Sequence, residues 1–474
     1  EKSDDHTADQ LRLSYSGLGI PAEQIRKTSL VASAELQSYL QQLADRIVAA
    51  WPGSKLTTQV QLINSYSFGP SVDQFGTIYV PLGMLESVES EDEIVALLAH
   101  EISHILLRHH ERTDLIKQQQ QTSSMLAELA EVFAVTKDTK VRKFNDSYRL
   151  TYEPSRTGEK TINKAHIYSY VINTLSDEVW STAWARYQEE QADVLGMDLA
   201  STLGYAPRAA IYTLQRLESF QGQQQSILSQ YYQQKQALVL NAVRTLDAET
   251  LKAEKDKLLS EVTDVAITAG ADYLKRSHLS PADRDLALRE YIRKEYTAES
   301  RKRPNANNWQ QLKQQQNVQY VLNGYRAAFD ANTMLVRGDL QKAEQRAMAA
   351  LNPVTKGQPG IREVLYNVRI AQRKQQQAQQ NLSYIENWSL ASPEFFEEAV
   401  RFYMTRKQFN DALQLISVAE TSLKSKEPFM IEKAVALSQI GDTAQSVNIL
   451  QSCRKVESKK QLCESYLKRM GVEI

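Results

Sequence analysis

His100, Glu101 and His104 stand in the middle of the apolar run LLAHEISHIL (97–106), where polar side chains without partners are costly to bury. On a helix, residues four apart share one face. His100 and His104 can therefore aim two imidazoles at one metal ion, at about 2.0–2.1 Å each. Glu101 projects to one side of that pair, where it can hold a water and take its proton. A bound metal makes this feasible by lowering the water's pKa from 15.7 toward about 7. The pattern is the HExxH arrangement of hydrolytic zinc sites.

A third protein ligand is needed. His110 has the offset of a His-x-x-Gly-x-x-His continuation, but position 107 is Leu and the helix reads as running on. Ten residues of straight helix advance about 1000°, which leaves His110 about 80° from His100. His109 falls on the opposite face, so both read as surface or second-layer residues. The later segment RYQEEQADVLG offers carboxylates instead. Glu189 and Asp193 are four apart on one face, so Glu189 can bind the metal while Asp193 accepts the free ring N–H of a ligating histidine. Glu190 is the competing ligand, and the residues alone leave both open.

Elements that could position these groups surround them. TTQVQLIN and FGTIYVPLGML (75–85) read as strands, and FGTIYV fits a strand bordering the cleft, whose exposed backbone groups would pair with an extended substrate. ESEDEIVALLAHEISHILLRHH reads as one helix with Ser90 as its N-cap. TKDTKVRKFNDSYRLTYEPSRTGEK reads as a loop or flap, and a further helix ends at Gly204.

At 474 residues the chain is long enough for two or three domains. The net charge of −1 gives no reason to expect nucleic acid as a partner. No run of about 18 uncharged apolar residues is present to span a bilayer. The polar start EKSDDHTADQ fits a mature exported protein without its signal peptide and fits a trimmed cytosolic chain equally. Cys453 and Cys463 can tie two neighbouring helices together in an oxidising compartment.

The last 150 residues repeat. Ala343, Ala378, Ala412 and Ser446 follow one another at spacings of 35, 34 and 34. Apolar residues recur four after each (Ala347, Leu382, Ile416, Leu450) and seven after (Ala350, Ile385, Ala419, Cys453). Twelve before lie Ala331, Tyr366, Val400 and Ala434. Two stacked helices per unit need small residues at such contacts, and a period of 34 resembles the tetratricopeptide repeat. The domain reading is a catalytic domain over 1–300 with helical inserts at about 112–188 and 215–270, a linker over 301–323, and repeats over 324–474 closed by a capping helix.

LLAHEISHILLRHH, EEQAD and GYAPRAA together resemble the zinc metallopeptidase family of the CAAX prenyl endopeptidases, HtpX and the BepA-type periplasmic proteases. A repeat domain after the catalytic domain is the BepA-type arrangement. The resemblance implies a mainly α protein: a gluzincin-like α+β catalytic domain with a small sheet, followed by an α-solenoid. It implies one zinc ion per chain on His100, His104 and Glu189, Glu101 as general base, and Asp193 as second shell or proton donor. SHLSPADR is similar to the family's THPxxxxR, which implies that His278 approaches the metal or the reacting carbonyl and that Arg284 orients the carboxylates. It further implies a periplasmic endopeptidase acting on protein or peptide substrates in outer-membrane protein quality control, its repeats binding a client or an outer-membrane assembly machine. The alternative is a repeat-based scaffold or chaperone whose peptidase site is latent or vestigial. SVDQFG departs from the family's stretch before the cleft strand, so subsite preference does not carry over.

Overall fold

The computed structural model describes residues 28–52, 56–73, 76–107, 109, 139–144, 147–152, 186–220, 281–456 and 459–472. They form two compact units: residues 28–109 and 186–386 in one, residues 139–152 and 387–472 in the other. His278, most of the insert at 112–188 and nearly all of that at 215–270 lie outside the described residues.

In the first unit, Leu36, Leu40, Leu43, Ala44, Ile47 and Val48 recur at helical spacing and bury one face of α1 (Ala34–Ala49), which Ser33 caps by accepting from Leu36 N. Helix α1 packs on a three-stranded sheet of β1 (Gln59–Ile63), β2 (Ser71–Val72) and β3 (Thr77–Pro81), ordered β1-β3-β2. Strand β3 pairs in parallel with β1 (Val60 opposite Ile78) and antiparallel with β2 (Val72 opposite Ile78). All five residues of β3 are buried. This corrects the expectation for FGTIYV: its strand is the centre of the sheet, with neighbours on both sides, and a continuous apolar run is what a doubly covered strand requires. The strand at the sheet's edge beside the helix of His100 and His104 is β2.

Helix α2 (Leu82–Ser87) leads into α3 (Glu91–Leu106), where Ser90 Oγ accepts from Glu93 N and three acids occupy the first turn. Those acids are buried struts. Asp92 accepts from Ala206 N (2.7 Å) and Asn305 N (2.9 Å), while Glu93 pairs with Arg216 at 2.6 Å. Helix α3 ends at Leu106, short of the expected His110, with Leu107 as its C-cap, the N–H of which still bonds to Ser103 O.

Within the expected helical insert at 112–188, residues Thr139–Phe144 and Ser147–Tyr152 form an antiparallel hairpin, β4 and β5. The reading of this stretch as a loop or flap is corrected for the described residues: Tyr148, Leu150 and Tyr152 alternate with polar residues along SYRLTY, which is a strand pattern. The hairpin belongs to the second unit, where β5 lies against one of the unit's helices.

Helix α4 (Arg186–Thr202) packs along α3. Met197 of α4, Ile211 and Leu214 of α5 (208–220), and Leu288 and Ile292 of α6 (Pro281–Glu295) form one buried cluster, which seats α6 against α4. The segment expected as a linker, 301–323, contains α7 (Asn307–Lys313) and the start of α8 (Gln316–Val336). Trp309 is fully buried and its indole donates to Val88 O at 3.0 Å, so this stretch is packed structure.

Helices then come in pairs: α8 with α9 (Leu340–Ala349) and α10 (Pro359–Ala371) with α11 (Gln375–Ser383) in the first unit. In the second, α12 (Pro393–Thr405) pairs with α13 (Phe409–Ser422) and α14 (Met430–Gln439) with α15 (Thr443–Cys453), followed by α16 (Lys460–Arg469). Hairpin strand β5 lies against α14. One left-handed residue closes each pair's turn: Gly338, Arg373, Lys407 and Gly441, at spacings of 35, 34 and 34. The next N–H reaches back five residues each time, as in Asp339 N to Met334 O and Gln408 N to Tyr403 O. All sixteen positions read from the period are buried. Cys453 and Cys463 form a disulfide joining α15 to α16.

The first two pairs are built into the unit that carries the histidines. Gln358 Nε2 donates to Ala32 O (2.9 Å), Ser29 Oγ donates to Glu363 (3.1 Å), and Arg326 pairs with Glu86. Among the described residues no helix is long and apolar enough to cross a membrane.

Candidate metal centre

Helices α3 and α4 meet closely because Gly196 stands at their crossing. A Cβ there would lie 2.9 Å from His100 N and 3.0 Å from His100 Cα. An isolated glycine inside a helix costs about 1 kcal/mol relative to Ala, and here its return is backbone approach.

That approach brings Glu189 onto the histidine pair. His100 Nε2 and His104 Nε2 are 3.1 Å apart, and each lies 3.6 Å from an oxygen of Glu189. A tetrahedral ion with bonds of about 2.0–2.1 Å has ligand-to-ligand edges of about 3.4 Å. The triangle therefore fits one ion, and His100, His104 and Glu189 can hold it. Glu189 Oε1 is buried without a hydrogen-bond partner, as a ligand atom facing a cation would be. Glu189 is 2% exposed whereas Glu190 is exposed, which separates the two carboxylates that the sequence left open.

The surroundings orient the three. Asp193 Oδ1 lies 2.9 Å from His100 Nδ1. Arg284, brought in by α6, grips Asp193 with two bonds, Nε to Oδ2 at 2.7 Å and a terminal nitrogen to Oδ1 at 2.6 Å. Its other terminal nitrogen reaches Glu189 Oε2 at 2.9 Å. The family resemblance implies Arg284 on the carboxylates, and it contacts both.

In the protein's own field, burial favours the neutral forms of these groups, and specific charges then decide each one. Burial raises the Asp193 carboxyl, but Arg284 outweighs it and holds the group well below the usual carboxylate range. Burial lowers His100, but the hydrogen bond and charge of Asp193 leave its pKa raised. Glu101 has no such clamp: burial pushes it up to about 8, with His100 pulling it down and Glu189 pushing it further up. A divalent ion beside it would lower that value.

His109 was read on the face opposite the ligands. With α3 stopping at Leu106, it instead comes back over His104, their Nδ1 atoms 2.9 Å apart, and its Nε2 lies 3.2 Å from Gln191 Oε1. Neither glycine nor proline marks that stop, so no sequence signal gives it away. Gly196 does carry a signal in the sequence, since an isolated glycine inside a helical pattern is the usual mark of close packing. His110 and His278 lie outside the described residues.

Residues 31–284, more than half of the chain, match Peptidase family M48. The chain belongs to this family. Membership makes it a metal-dependent peptidase acting on protein or peptide substrates, and the matched span contains the three candidate ligands together with Glu101, Asp193 and Arg284. No curated protein matches the sequence.

Proposed function

We propose that this M48 chain is a zinc endopeptidase, a reading carried by the triangle of His100, His104 and Glu189 with Glu101 buried beside it. The zinc would supply Lewis acidity to the attacking water and the scissile carbonyl. Glu101 takes the water's proton at its carboxylate and delivers it to the leaving amine. Asp193 fixes the ring of His100 and Arg284 fixes Asp193 and Glu189. His278, six residues before Arg284, is assigned to the reacting carbonyl or to closing the metal in a resting form. An extended substrate adds along the β2 edge beside α3.

The helix pairs are read as tetratricopeptide-like repeats that recruit a client or an assembly machine of the outer membrane. The Cys453–Cys463 bond favours an oxidising compartment, which supports the periplasm and a part in protein quality control there. Casein hydrolysis and zinc content of wild type and Glu101→Gln test the reading. Zinc in both with cleavage by the wild type alone supports it. Zinc with no cleavage by either favours the scaffold with a latent site.

A further inference from the structure

We infer that His109 and Gln191 form a relay that fixes the tautomer of the ligand His104, a positioning role that rests on the metal reading above. The argument runs inward from the amide. A side-chain amide oxygen only accepts, so at 3.2 Å from Gln191 Oε1 the Nε2 of His109 carries the hydrogen. A neutral imidazole with hydrogen on Nε2 presents a lone pair at Nδ1. That lone pair lies 2.9 Å from His104 Nδ1, which must then be the donor. His104 Nε2 is left with its lone pair, and it is this atom that faces His100 Nε2 and Glu189. The other tautomer would put a hydrogen at Nε2, where the metal belongs.

The two imidazoles are thus held by different chemistry. His100 leans on a carboxylate clamped by Arg284, whereas His104 leans on a neutral ring and an amide. Helix α4 supplies every terminus: Glu189 to the metal position, Gln191 to the relay behind His104, and Asp193 to His100. His109 is 5% exposed and His104 1%, which keeps bulk water from the contact between the two rings, while Gln191 closes the relay from the solvent side.

The test is the zinc dissociation constant of the full chain, measured by chelator competition for wild type, His109→Leu, His109→Asn, Gln191→Leu and His100→Ala. His109→Leu removes the acceptor and is expected to weaken zinc about 10–100-fold, the usual cost of losing such a partner. His109→Asn, whose amide oxygen can stand where Nδ1 stood, is expected to stay within a few-fold of wild type. Gln191→Leu falls between. Nitrogen-15 spectra of the histidine rings in the metal-free protein give a second readout, with hydrogen on His104 Nδ1 in wild type and on Nε2 in His109→Leu.

Wild-type affinity in His109→Leu, or equal loss in the Leu and Asn variants, overturns the relay. If His109→Leu does not fold, Gln191→Leu carries the test, and wild-type affinity together with an unchanged ring spectrum overturns it. Should wild type bind zinc no better than His100→Ala, the metal reading itself falls, and the relay with it.

Discussion

Replacing Gly196 by Ala probes the crossing that assembles the centre. The added methyl would sit 2.9 Å from His100 N, 3.0 Å from His100 Cα and 3.1 Å from Ala99 C, all backbone atoms that cannot swing aside. Comfortable carbon contacts are about 3.5–4.0 Å, so α3 and α4 must separate by roughly 0.5–1 Å. Overpacking of this kind costs about 1–3 kcal/mol, and the better helix propensity of Ala returns about 1. The fold should therefore survive with a net loss of about 2 kcal/mol or less. The ligand triangle should not: metal sites tolerate about 0.2 Å, and Glu189 rides on the helix that moves. A misplacement near 1 Å costs about 10²-fold in rate. The assay is peptide hydrolysis beside zinc titration and thermal unfolding. A variant with wild-type zinc affinity and activity would refute the claim that this crossing sets the geometry.

Three further outcomes are expected. Glu101→Gln should stabilise the metal-free protein above neutrality: the native carboxyl titrates near 8 and the unfolded one near 4.5, so the native state holds a proton that the unfolded state has released, and wild-type stability falls as pH rises through that window. Melting in chelator should show equal stability at pH 4 and a gap that widens toward pH 8; a constant gap contradicts this. Lys407→Gly, at a backbone φ of 61°, should stabilise the second unit by about 0.5–1 kcal/mol in denaturant titration, as relief of the left-handed strain outweighs the added freedom of the unfolded chain. A chain ending at 300 should fail to give a folded, zinc-binding unit whereas one ending at 386 should succeed, because Trp309, Gln358 and Glu363 complete its packing; a soluble, zinc-loaded 300-residue fragment would refute that.

What the sequence disclosed was what local periodicity carries. HExxH needs only five consecutive residues of one helix, with its two histidines on one face, and Ser90 with its acids marks a helix start by capping chemistry. The 34-residue period survives because each small residue fills one close contact, and each such position is buried. The misses were relations between distant segments. TIYVP looks the same whether it lies at the edge or the centre of a sheet, and only pairing with β1 and β2 decides. Helix α3 ends on two ordinary leucines, Leu106 and Leu107, so the return of His109 depends on tertiary packing. Residues 301–323 are rich in Arg, Lys, Asn and Gln, and only the contact of Trp309 with Val88 shows that the stretch is packed.

The most direct test is zinc stoichiometry by elemental analysis after exhaustive dialysis of wild type and Glu189→Ala. One ion per wild-type chain, and close to none in a variant that keeps its helical content, is the predicted result. Equal retention by both would contradict a centre built from His100, His104 and Glu189.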